Sequence, residues 1–137
     1  MTSLPAHPLF ETLKRATSGL LFPSESDAEL TPYHFPGPAG TEPTPEALLR
    51  LEHLPSDTPV ETITVADLFD PFQHADEGAS EQDRAEADRY RALVELLARE
   101  LTSLRVYRVG KVDIDVYVLG QDASGAWLGL KTHVVET

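Results

Sequence analysis

All eleven prolines of this chain lie at or before Pro71, and none follows. Proline has no backbone N–H and a fixed φ, so it interrupts helices and is kept out of the middle of sheets. Residues 1–71 are therefore expected to form short elements separated by turns, while residues 72–137 can hold long ones. No internal repeat or heptad run is visible. Hydrophobic residues make up 41% of the chain, enough for a packed core, so we expect a single domain over residues 1–137.

In the first part, Leu9, Leu13, Ala16 and Leu20 recur at helical spacing, with Gly19 placed where such a helix could end. A polar loop, Pro23-Ser24-Glu25-Ser26-Asp27, follows Phe22. Tyr33 to Phe35 reads as a short edge strand between prolines, and Pro36 to Pro45 as a loop. Thr44-Pro45-Glu46 has the chemistry of a helix start: Thr caps, Pro fits the first turn, and Glu faces the positive dipole end. Leu48, Leu51 and Leu54 would give that helix its apolar stripe. Val60 to Val65 is β-branched and alternating, which predicts a strand. Ala66 to Phe72 predicts a helical turn.

The proline-free part predicts one long helix from Ser80 to Ser103, whose apolar face is Tyr90, Leu93, Val94, Leu97, Leu101 and Leu104. Three strands follow: Arg105 to Val109, Val112 to Leu119, and Ala126 to Val135. Short turns at Gly110-Lys111 and Asp122-Ala123-Ser124-Gly125 force antiparallel neighbours. On the middle strand Val112, Ile114, Val116 and Val118 fall on one face, Tyr117 and Leu119 on the other. A strand apolar on both faces needs a layer above and below it. The expected fold is α+β, with helices packed on an antiparallel meander.

The charge narrows the function. Asp and Glu number 23 against 11 Lys and Arg, a net charge of −12. Direct nucleic-acid binding needs concentrated cations, and so does docking on an anionic membrane; both are excluded as expectations. An acidic protein suits a basic protein partner, or uses its charge for solubility. Eight acids and one base, Arg84, fall between Asp67 and Asp88. Glu81 and Asp83 there oppose the helix dipole, but Asp76 and Glu77 precede the helix. Glu25, Asp27 and Glu29 form a second acidic group with no basic residue near them in sequence. There is no cysteine, hence no disulfide or thiolate chemistry. The chain has no Asn, and no run approaches the ~20 apolar residues of a membrane span. MTSLPAHPLFETLKR lacks the pattern of a secretion signal, so a cytoplasmic location is expected.

Catalytic signatures are weak. Asp113 and Asp115 point to one face of a strand and could bind a cation or form an acid/base pair, although Lys111 neutralises part of that charge. His7, His34, His53, His74 and His133 lack metal-ligand spacing, and neither a nucleophile elbow nor a glycine-rich phosphate loop is present. We therefore expect no enzyme, no catalytic residue, no metal of its own and no cofactor. The last strand runs to His133-Val134-Val135-Glu136-Thr137, where an α-carboxylate, with a pKa of about 3.5, would be a placed anion.

Three blocks, in order, resemble the nuclease A inhibitor family of bacterial proteins. Gly19-Leu20-Leu21-Phe22 with Ser24-Glu25-Ser26 is similar to its first motif. Val106-Tyr107-Arg108, Gly110, Asp115-Val116-Tyr117-Val118 and Gly120 are similar to its second. Ser124-Gly125, Gly129 and Val134-Val135-Glu136-Thr137 are similar to its last hairpin and terminus. The resemblance implies an α/β/α sandwich with a mainly antiparallel central sheet and helices on both faces. It implies a one-to-one complex with a non-specific, magnesium-dependent DNA/RNA endonuclease of the ββα-metal type, whose active site is blocked. It places Glu25 and Thr137 at the centre of the interface, near the nuclease's metal, with Ser24 and Glu136 beside them. An acid–tryptophan pair of the family falls on Glu77 and Gly78, next to Asp76: the acid is kept and the aromatic is missing. The competing expectation is an acidic regulatory module on the same fold with a non-nuclease partner.

Overall fold

The computed structural model describes residues 8–36 and 41–136. Helix α1 (Pro8–Thr17) leads into a small hairpin, β1 (Leu21–Phe22) and β2 (Ala28–Glu29), then strand β3 (Thr31–His34). Helix α2 (Pro45–Leu51), strand β4 (Val60–Ile63), helix α3 (Val65–Phe69) and a single 3₁₀ turn (Asp70–Phe72) complete the proline-rich part. The long helix α4 (Glu81–Glu100) is followed by β5 (Thr102–Val109), β6 (Asp113–Gln121) and β7 (Trp127–Val135). The main sheet has the order β3-β7-β6-β5-β4, every neighbouring pair antiparallel. It is thus an α+β fold, with the three predicted strands as its centre and the two short strands of the proline-rich part as its edges. Among the described residues no helix is long and apolar enough to cross a membrane. His7, Thr137 and residues 37–40 of the Pro36–Pro45 loop lie outside the described residues.

Local chemistry accounts for most boundaries. Thr44 Oγ1 accepts from Ala47 N at 3.1 Å and Ser80 Oγ from Asp83 N at 3.1 Å, each satisfying an orphan N–H of its helix. Thr64 and Asp67 form a reciprocal capping box at α3. Arg89 of α4 donates to the carbonyls of Ala16 and Ser18 at 2.9 and 2.8 Å, placing a cation at the negative end of α1. Several expected boundaries need correction: the strand expected over Val60 to Val65 ends at Ile63, because Thr64 caps α3 and Val65 opens it. Helix α4 stops at Glu100 rather than Ser103, because Leu101 is extended (φ −127°, ψ 146°) and Thr102 already pairs with Gln121. The β5 register then shifts between Thr102 and Arg105, and Ser103 takes a φ of 55° to absorb it. In α2 the buried leucines are Leu48 and Leu49, while Leu51 is exposed, since the short helix turns its side chains onto the sheet through adjacent positions.

The core lies on both faces of the sheet. On one face α1, α3 and α4 cover Val106, Ile114, Val116, Val118, Leu128, Leu130 and Val134 with Leu13, Leu68, Phe69, Tyr90, Leu93, Leu97 and their neighbours. On the other, α2 supplies Leu48 and Leu49 against Tyr107, Val109, Tyr117, Leu119, Trp127 and Phe35. The predicted division of β6 holds from Ile114 to Leu119, whereas Val112 precedes the strand and is exposed. The α2 layer is tied down by polar links: Tyr107 OH donates to Pro43 O at 3.1 Å, and Lys131 Nζ reaches Glu52 at 3.2 Å while lying over the Tyr117 ring. Each fully buried leucine contributes about 2 kcal/mol relative to exposure, so both faces stabilise the sheet.

Candidate functional site

The site begins at the β1–β2 hairpin. Tyr90 OH donates to the Leu21 carbonyl at 2.5 Å, and Phe22 packs edge-on against Phe72 and Phe69, with centroids 4.9 and 6.1 Å away. These contacts hold the base of the loop from Pro23 to Asp27. Within the loop Ser24 Oγ donates to Ser26 O at 2.9 Å and accepts from Ser26 N at 3.2 Å. It also accepts from Val135 N at 3.2 Å, across 111 positions of sequence. A hydroxyl has one donor and two acceptor positions, and Ser24 uses them all. Glu25 N donates to Val135 O at 3.4 Å, so the loop is laid against the last turns of β7 with the Glu25 side chain exposed.

The end of β7 is held from the other side as well. Glu136 N donates to Val112 O at 2.9 Å, and the Glu136 carboxylate pairs with Arg108 at 2.7 Å. Arg108 stands on β5 opposite Glu61 of β4, which it also reaches at 3.2 Å. Its side chain is 18% exposed, far more enclosed than its two partners. Ser24, Glu25, Arg108, Val135 and Glu136 line a groove of about 450 Å³ whose apolar floor includes Phe22, Leu68, Phe72 and Val134, with Asp67 at its edge. The structure thus joins Ser24, Glu25 and Glu136 in one place.

Asp76 and Glu77 are not in that groove. They line a separate depression with His74, Arg84, Asp88 and Arg91, where Arg91 pairs with Asp88 and donates to Gln73 O. The acidic stretch from Asp67 to Asp88 is therefore divided among several environments rather than forming one patch. Gly78 has φ +87°, a conformation that L side chains rarely adopt, as the third residue of the turn closed by Ala79 N to Asp76 O. An aromatic residue here would be strained, which accounts physically for glycine at this position.

The Asp113–Asp115 pair has a different neighbour from the one expected. His133, opposite Asp115 on β7, places Nδ1 2.9 Å from Asp115 and Nε2 3.4 Å from Asp113. Asp113 is 76% exposed, unlike a catalytic carboxyl held in low dielectric. Among the described residues no group of three or more His, Cys, Asp or Glu side chains is arranged to hold a metal ion. The hydrogen bond to Asp115 raises the His133 pKa above its ordinary value; burial opposes this, and Asp113 adds to it. A raised folded-state pKa stabilises the fold fully below the unfolded value and loses that contribution as pH rises through the folded one. His133→Gln is thus expected to cost most stability at pH 5.5 and progressively less by pH 8.5. The cost should stay under about 1 kcal/mol, since the pair is screened by solvent. Urea melts at both pH values check it, and a cost growing with pH would contradict the assignment.

Arg108 and Asp67 are groove residues to which the motifs assign no role at the site. Arg108 carries a signal, a cation between Tyr107 and Val109, but its partners come from β4 and the far end of β7. Asp67 reads only as part of the acidic stretch; the structure makes it the reciprocal partner of the Thr64 cap, with Thr64 N donating to its Oδ2 at 3.3 Å.

Comparison with curated proteins returns no match. The family model described as nuclease A inhibitor-like protein matches residues 7–137, nearly the whole chain. The blocks that build the groove all fall inside that match, and the chain belongs to the nuclease A inhibitor-like family.

Proposed function

We propose that this protein inhibits a sugar-non-specific, Mg²⁺-dependent DNA/RNA endonuclease by seating the Glu25 loop and the end of β7 in its active site as a one-to-one complex. The reading is carried by one observation: two segments far apart in sequence, Ser24-Glu25 and Val135-Glu136, are hydrogen-bonded into a single acidic edge. Family membership supplies the class of partner. A nuclease cleft must be basic to hold phosphates, and its Mg²⁺ prefers hard oxygen ligands. Carboxylates at this edge imitate the phosphate oxygens of the substrate, and complementary charge speeds encounter. Glu25 and Thr137 approach the partner's metal, Ser24 and Glu136 support them, and Asp76 and Glu77 add a second contact. Apolar area and shape at the groove supply most of the affinity. The inhibitor needs no cofactor or metal.

The test is an inhibition assay against a basic, Mg²⁺-dependent, sugar-non-specific endonuclease, with the complex checked by size-exclusion chromatography. Stoichiometric loss of DNA and RNA cleavage supports the proposal; full activity at excess inhibitor counts against it. Gly78, where an aromatic contact is missing and the backbone disfavours one, supports a second reading: a regulatory module whose partner is not a nuclease. Capture from native lysate separates the two, because a basic endonuclease recovered at equimolar ratio would exclude the second.

A further inference from the structure

We infer that Arg108 is a positioning residue of the inhibitory edge, acting through Glu136 to hold the end of β7 beside the Glu25 loop. The inference rests on the proposed function and names a residue that the function alone does not. Glu136 is constrained at its backbone, through Val112 O at 2.9 Å, and at its carboxylate, through Arg108 at 2.7 Å. The preceding residue, Val135, is clasped by Ser24 Oγ and by Glu25 N. Of these links only Arg108 comes from the middle of the sheet, where its neighbours on β4 and β6 fix the backbone. Its planar fork can hold two carboxylates at once, and Glu61 on β4 takes the other. Glu61 and Glu136 balance its charge, so Arg108 does not present a free cation to a basic partner. Without the tether, the Glu136 carboxylate would lose its fixed position, and the edge would pay ordering entropy when it binds.

A double-mutant cycle and amide hydrogen exchange test this together. Against the endonuclease of the assay above, Arg108→Gln is expected to raise the inhibition constant about fivefold, the order of one partly exposed charge-assisted pair. In a Glu136→Gln background the same change should cost less than twofold. In the free protein, Arg108→Gln and Glu136→Gln should each speed exchange of the Glu136 amide severalfold and leave Val118 unchanged. Glu61→Gln should leave the Glu136 amide as it is. Additive effects on inhibition, coupling to Glu61 instead, or unaltered Glu136 exchange would overturn the inference. Should the wild-type protein fail to inhibit the endonuclease, the proposed function falls, and exchange alone then decides whether Arg108 tethers Glu136. Glu136→Gln breaks the pair from its exposed end, so the measurement stands even if Arg108→Gln does not fold.

Discussion

Glu25→Ala should raise the inhibition constant at least tenfold, about 1.4 kcal/mol or more. The carboxylate is exposed in the middle of the loop, and the Ser24 hydroxyl, the Asp27 carboxylate and backbone groups make loop hydrogen bonds that the substitution retains. Truncating one member of a charge pair desolvated in a complex commonly costs about 2–5 kcal/mol, because the partner charge is left buried without its counterpart. Glu25→Gln separates charge from shape: if it inhibits as well as the wild type, charge mimicry is wrong even where Glu25→Ala is weak. Adding residues after Thr137 is expected to weaken inhibition by a similar factor, since they would enter the space assigned to the nuclease's metal site. Unchanged inhibition by such an extended protein would remove that end of the chain from the mechanism.

The largest stability effect is expected at Gly129. A Cβ on this residue of β7 would collide with the Val118 carbonyl and press against Leu119 Cα, both part of the adjoining strand β6. Gly129 pairs with Leu119 on one side and Tyr33 on the other, so the strand has a neighbour on each flank and little room to retreat. Overpacking against backbone costs about 1–3 kcal/mol, and Gly129→Ala should fall at the upper end. For a domain of this size that is a fall of roughly 10 °C in Tm. Gly78→Ala provides the contrast: nothing lies within 4 Å of its Cβ, and only the positive φ opposes it. Its cost should be about 1 kcal/mol. Equal losses at the two positions would refute the close-approach argument.

Much of the architecture is legible in the residues because it depends on local periodicity and capping. The repeat from Tyr90 to Leu97, the Ser80 and Thr44 caps, and the alternation of Ile114 to Leu119 each concern neighbours within a few positions. The failures arise where distant pairing overrides local pattern. Leu101 and Leu104 continue a helical stripe, yet pairing of Thr102 with Gln121 draws that segment into β5. Asp113 and Asp115 have Lys111 beside them in sequence, but the side chain that bridges them is His133, delivered by the β6–β7 register.

The same distinction governs the candidate site. The available groups can be read from the residues alone: an acidic loop at Glu25, a glutamate directly after the final strand, an arginine between Tyr107 and Val109, and no cysteine. The residues also determined the helices and strands that carry them, since backbone hydrogen bonding and side-chain spacing act over short stretches. Packing of distant segments is what brings Ser24 to Val135 and Arg108 to Glu136, and keeps Glu77 apart from both. Those meetings depend on strand order and on a register in which a one-residue slip would send every side chain to the opposite face. Burial of both faces of the sheet selects that register, and burial is a property of the whole packed chain.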